Sequence, residues 1–175
     1  EEELVNKYGL KNKKEVWKMI SKIKRFKSRA RSLISSSTEQ SELERKQLIA
    51  KLARLNLVSE KASLDDVLVL KLESIFERRL QTLVFRKGLS RTIKQARQFI
   101  TNDHISLNGK KVNVPSYLVL KDEEPKISFN INSSLNNENH PERAKGKEEV
   151  AQEKKHVKEE IAGDKKEALV EVTAA

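Results

Sequence analysis

Apolar residues recur at helical spacing through the chain up to about Ile100, and alternation replaces it only after His104. Leu72, Ile75, Phe76, Leu80, Leu83 and Val84 form one stripe and predict a single amphipathic helix ending near Arg86. Arg78, Arg79 and Arg86 fall off that stripe. Gly88 supplies the left-handed residue that stops such a helix cheaply. Thr92 followed by Gln95 reads as a capping box, so a second helix starts there, with Ile93, Ala96 and Ile100 on its narrow apolar face. Lys94 and Arg97, three apart, are expected to point outward together. Asn108-Gly109 is a type I′ hairpin signal, because both residues of that turn need positive φ. Ile105 and Leu107 before it, and Val112 and Val114 after it, alternate as half-buried strands do, with Ser106, Lys111 and Asn113 on the opposite face. Pro115 ends the second strand.

Upstream, Lys11 to Ile34 reads as a long helix with Val16, Ile20, Ile23, Ala30 and Leu33 on its apolar side. Ser41 with Glu44 reads as a capping box for a further helix to about Leu55, packed antiparallel to the first through Leu48, Ile49, Leu52 and Leu55. Ser63, Asp65 and Asp66 start a short helix carrying Leu64, Val67 and Leu68. Downstream, Tyr117–Leu120 and Lys126–Phe129 read as strands around the acidic turn Asp122–Pro125 and can join the hairpin in a small sheet. From Asn132 the chain is polar, rich in Glu and Lys and nearly free of aromatics, so it is expected to be disordered.

The predicted class is α+β and mainly helical. Residues 1–71 make a basic helical domain, 72–131 a helix–helix–hairpin domain with the strands that follow, and 132–175 a disordered charged tail.

Charge sharpens this picture. The 175 residues carry 36 Lys and Arg against 26 Asp and Glu, a formal net charge of +10. The excess is not uniform: residues 132–175 hold 8 bases and 10 acids, so the basic character belongs to the folded part. That is the electrostatic footprint of a polyanion binder. Beyond Lys11, the first long helix carries nine bases, Lys13, Lys14, Lys18, Lys22, Lys24, Arg25, Lys27, Arg29 and Arg31, against the single acid Glu15. Such a face repels itself without a counter-charge.

No catalytic constellation is present. There is no cysteine, so no thiol nucleophile or cysteine zinc site is available. No P-loop, GxGxxG or HExxH occurs. His104, His140 and His156 have no partner ligands at metal spacing, and no cofactor is expected. Glu73 and Glu77, four apart, read as structural, with Glu77 expected to pair with Arg78, Arg79 or another base and orient it. The longest apolar runs, such as Val67–Leu70, are far too short for a membrane span, and no membrane partner is expected.

Glu77-Arg78-Arg79-Leu80, Ala96-Arg97-Gln98-Phe99-Ile100, His104-Ile105 and Asn108 to Ser116, in that order and spacing, resemble the S-four RNA-binding domain. Lys7 to Trp17 and Leu64 to Leu68 extend the resemblance to the archaeal and eukaryotic form of the small-subunit ribosomal protein S-four family, covering about Lys7 to Phe129. One departure is Thr92-Ile93, where many members carry Ser-Arg, so the cap survives and one RNA-facing Arg is missing.

The resemblance implies a non-enzymatic constituent of the cytoplasmic small ribosomal subunit that grips ribosomal RNA where several helices meet, early in subunit assembly. It also implies neighbouring ribosomal proteins, the S-five family among them, and basic residues near the path by which messenger RNA enters. Residues expected to bind RNA are Arg78, Arg79, Arg86, Lys87, Arg91, Lys94, Arg97, His104, Lys110, Lys111 and Asn113, joined by Lys18, Lys22, Arg25 and Arg29. Ala at Arg79 or Arg97 is expected to weaken binding and change stability little, and the tail from Asn132 to be dispensable for binding.

Three rival readings remain. An S-four-containing RNA-modifying enzyme needs a large catalytic domain for which this chain has no room. A free-standing RNA-binding stress or rescue factor lacks the long helical domain of Lys11 to Leu57. A DNA-binding regulator would read the helices around Gly88 as a helix-turn-helix, against which the following hairpin weighs.

Overall fold

The computed structural model describes residues 1–138 and 140–143. Helices α1 (Glu2–Lys7), α2 (Lys13–Ser35), α3 (Glu39–Arg54), α4 (Leu64–Val69), α5 (Leu72–Glu77), α6 (Leu80–Arg86) and α7 (Ile93–Thr101) lead into strands β1 (Ile105–Leu107), β2 (Lys110–Lys111) and β3 (Ile127–Phe129). The strands form one antiparallel sheet in the order β2-β1-β3, with Leu107 opposite both Lys110 and Ile127. The expected α+β, mainly helical class with its small sheet is what the chain adopts.

Three apolar clusters hold these elements. Ala30 and Leu33 of α2 meet Leu48 and Leu52 of α3 and Val67 of α4. Val16, Met19 and Ile23 of α2 meet Tyr8, Leu10 and the α5 residues Ile75 and Phe76. Leu80, Leu83 and Val84 of α6 meet Ala96, Phe99 and Ile100 of α7 and the sheet residues Ile105, Leu107, Ile127 and Phe129. By packing, α5 therefore belongs with the N-terminal helices, and residues 1–143 make one compact unit.

Several local expectations change. The stripe from Leu72 to Val84 is not one helix: it breaks at Arg78-Arg79, where Arg79 is extended with φ −72° and ψ 141°. The chain at Pro115–Val119 takes up the backbone groups that the break frees. The Leu80 amide donates to the Tyr117 carbonyl at 2.8 Å, and the Val119 amide donates to the Arg78 carbonyl at 3.0 Å. The Thr82 hydroxyl donates to the Phe76 carbonyl at 2.8 Å. Tyr117–Leu120 is accordingly not a regular strand, and makes a single bridge between Leu118 and Arg79.

Helix α3 starts a turn before the expected cap. Thr38 accepts from the Ser41 amide, and Ser41, now inside the helix, donates its hydroxyl to the Thr38 and Ser36 carbonyls. Arg45 adds donors to the Leu33 and Ser36 carbonyls, so the orphan carbonyls ending α2 are satisfied by the next helix. Residues 2–7, ahead of Gly9, form α1.

Other expectations hold in detail. Ser63 and Asp66 make a reciprocal capping box at α4. Gly88, at φ 74°, ends α6 with the Leu89 amide donating to the Val84 carbonyl and the Gly88 amide to that of Phe85. Asn108 and Gly109 sit at φ 53° and 76° in the hairpin turn.

The disordered tail was expected to begin at Asn132, and this is corrected. Ser133–Asn136 turns back so that Leu135, 2% exposed, enters the α6–α7–sheet core. The Arg143 guanidinium lies 5.2 Å from the centre of the Phe129 ring. Leu135 and the Arg143–Phe129 contact tie to the domain a short segment that composition alone counts as polar. The expectation of disorder for residues 144–175 falls outside the described residues.

Candidate nucleic-acid interface

The site is built where α2 meets the α6–α7 unit. Gly9, at φ 57°, brings the chain into α2 and passes close against α6 and α7. A Cβ on Gly9 would lie 2.8 Å from Ile93 Cγ2 and 2.9 Å from Gln81 Nε2, so the approach requires glycine. Gln81 is fully buried and donates from Nε2 to the Gly9 and Ile93 carbonyls, both at 3.0 Å.

Next to it, Glu15 on α2 receives two arginines from the far side. Arg79 Nη2 lies 2.6 Å from Glu15 Oε2, and Arg97 Nη2 lies 2.8 Å from Oε1. A second Arg97 nitrogen reaches Oε2 at 3.4 Å. Burial works against ionisation of Glu15, but hydrogen bonds from Arg97 and Arg79 outweigh it and hold the carboxyl below its ordinary value. Lys22, two turns along the same face of α2, is held below the ordinary lysine value by partial burial and by the like charge of Arg79.

Each residue expected at the RNA surface can now be placed. Arg78 and Arg79 are not on the outside: they are 7% and 1% exposed. Arg78 donates to Glu124 at 2.6 Å and to the Val119 carbonyl at 3.2 Å. Arg79 lies on Glu15, with its guanidinium carbon 5.8 Å from the centre of the Phe76 ring. The helical wheel failed here because the helix breaks at these two positions, so an outward direction computed for a continuous helix does not apply. Arg97 does not point outward beside Lys94: it is turned onto Glu15 and is 25% exposed. Ser106, expected on the far face of β1, is buried and bonded to Ser128 across the sheet, Oγ to Oγ at 3.1 Å.

Lys94, Lys110, Lys111 and Asn113 are exposed on α7, the hairpin and the residues after it. Lys18, Lys22, Arg25 and Arg29 are exposed along α2, with Arg29 paired to Glu44. Arg86 is exposed and paired with Glu77, so that acid takes neither Arg78 nor Arg79 but another base, and Lys87 is exposed beside it. Arg91 is exposed, and its guanidinium donates to the backbone carbonyls of Pro141 and Arg143. His104 is half-buried, with Nδ1 2.8 Å from Ser133 Oγ and its ring edge-on to Phe99.

Glu15 and Gln81 were missed as organising residues. The only signal for Glu15 was its isolation as the one acid in a helix of nine bases. Gln81 carried no sequence signal at all, because nothing local says which carbonyls a buried amide will meet.

Among the described residues no group of His, Asp and Glu is placed to hold a metal ion. None of the described helices is long and apolar enough to cross a membrane. Residues 78–124, which hold α6, α7 and the hairpin with its exposed lysines, match the S4 domain family. The similarity reaches beyond that module. The small ribosomal subunit protein uS4 of Methanococcus aeolicus is 59% identical over 144 residues, covering 82% of this chain and 81% of the relative. The proteins of the same name from two strains of Methanococcus maripaludis are 51% identical over 144 residues, with the same coverage. The chain belongs to the small ribosomal subunit protein uS4 family. It is a ribosomal protein and not an enzyme.

Proposed function

We propose that this chain is a structural constituent of the small ribosomal subunit, in the cytoplasmic ribosome, that grips ribosomal RNA at a junction of several helices. The observation that carries the reading is family membership across 82% of the chain, combined with unpaired surface cations on the elements of the S4 domain. Lys94, Lys110 and Lys111 are exposed, and among the described residues none of them pairs with a carboxylate. Lys18 and Arg25, exposed seven residues apart on α2, add further positive charge on that helix. Aromatic side chains make up 5% of the sequence, too few for single-strand reading by stacking, which favours recognition of backbone and shape. The family resemblance further supports contacts to a neighbouring protein of the S-five family and to messenger RNA as it enters the subunit.

The test is binding of the full chain to a junction-containing fragment of small-subunit ribosomal RNA over a range of salt. A linear fall of log affinity with log salt is expected, together with preference for the junction over an uninterrupted RNA duplex and over a DNA duplex. Equal affinity for all three would reduce the chain to a general polyanion binder and overturn the proposal.

A further inference from the structure

Glu15 is the only acid among nine bases on α2. By charge alone it opposes phosphate binding, because it lowers the positive potential of the helix. Its surroundings give it a different task. One carboxylate oxygen takes Arg79 from the α5–α6 break at 2.6 Å, and the other takes Arg97 from α7 at 2.8 Å. Lys94 stands one turn before Arg97 on α7, and Lys18 and Lys22 stand one and two turns beyond Glu15 on α2. The carboxylate therefore lies where basic surfaces from two distant parts of the sequence converge. Without it, Arg79 and Arg97 would face each other with no counter-charge, and Arg79 is almost wholly out of water.

We infer that Glu15 is a positioning residue for RNA binding, locking the basic face of α2 to that of α7 so that a structured RNA meets both at once. This rests on the RNA-binding reading above and deepens it. Two joined cationic surfaces act as one site only while their geometry lets both engage together. Gln81 and Gly9 set the close approach of the same seam, and Glu15 adds the charge that keeps two arginines on it.

The experiment compares the full chain with Glu15→Gln and Glu15→Asp. Each is titrated against the junction-containing ribosomal RNA fragment over a range of salt, well below the lowest melting midpoint. Removing a negative charge predicts tighter binding if only net charge matters. Loss of positioning predicts binding of E15Q weaker by about tenfold or more, within the range of ordinary coupling between sites, and a shallower salt slope because fewer phosphates are engaged together. A purely structural role would not change the slope among folded molecules. E15D keeps the charge with a shorter reach and is expected to recover part of the loss. If E15Q does not fold, Arg97→Gln decides, because it cuts the link to α7 and leaves Arg79 its carboxylate: a salt slope shallower by more than the one contact a lost charge accounts for supports the inference, and a loss of one contact or less overturns it. RNA binding by the wild type with equal or tighter binding by a folded E15Q overturns the inference alone. No RNA binding by the wild type overturns the function itself.

Discussion

Removing the Arg79 guanidinium from water costs several kcal/mol before any partner is counted, and one carboxylate with an aromatic face offsets part of it, with Nε and Nη1 left without hydrogen-bond partners. Arg79→Ala should destabilise the protein by about 1–3 kcal/mol, because it opens space beside Phe76 while Glu15 keeps Arg97. This replaces the expectation of a small effect made from helical periodicity. Urea denaturation followed by circular dichroism measures it, and a change below 1 kcal/mol would return Arg79 to the surface class. The same residue cluster sets an acid limit. Glu15 has a folded-state pKa below the ordinary glutamate value of 4.5, so its contribution is complete above that value and is lost as pH falls through the depressed one. The stability gap between wild type and Glu15→Gln should accordingly be constant near neutrality and shrink progressively once pH drops below 4.5. Melting midpoints of both proteins across that range test the sign; a gap that widens in acid contradicts it.

At the scale of elements, the helices announced themselves where caps and periodicity agree. Ser63, Thr92 and Gly88 end or start helices as local chemistry requires, and Asn108-Gly109 makes the hairpin turn. What local chemistry did not reveal was the break at Arg78-Arg79, since Ile75, Phe76, Leu80 and Leu83 keep helical spacing across it. The break exists because Pro115–Val119 supplies partners to the freed amides and carbonyls, and that segment lies far along the chain. The segment after Asn132 is a similar case. Leu135 is one apolar residue in a polar run, yet it is buried against the sheet. Leu135→Ala should cost about 2–4 kcal/mol, and truncation after Ile131 at least as much, because each removes a core side chain. A truncated protein with the wild-type melting midpoint would show that the segment contributes nothing to the fold.

Over the whole molecule, the charge that matters for RNA is the charge left over after internal pairing. Arg78, Arg79, Arg86, Arg29 and Arg97 all have carboxylate partners, which reduces what they offer a phosphate. Lys94, Lys110 and Lys111 are exposed, so Ala at each should lower the RNA salt slope by about one phosphate contact. Stability should change by only about 0.5 kcal/mol, as for surface positions. Parallel salt titrations and melts separate the two effects. An unchanged slope in all three variants would move the RNA surface away from the α7–hairpin unit.

Sequence alone determined the family resemblance, the helix caps at Ser63 and Thr92, the Asn108-Gly109 turn, and the concentration of positive charge outside the last 44 positions, because each is written in local spacing, turn chemistry or composition. Only the tertiary structure decided which bases remain available. Whether an arginine faces water or a carboxylate depends on what the rest of the chain brings against it. Arg79 meets Glu15 across 64 positions and Arg97 meets it across 82, distances at which no periodicity carries information. The break between α5 and α6 has the same origin: backbone hydrogen bonds must be satisfied somewhere, and the partners that permit an interrupted helix arrive from a remote segment through folding.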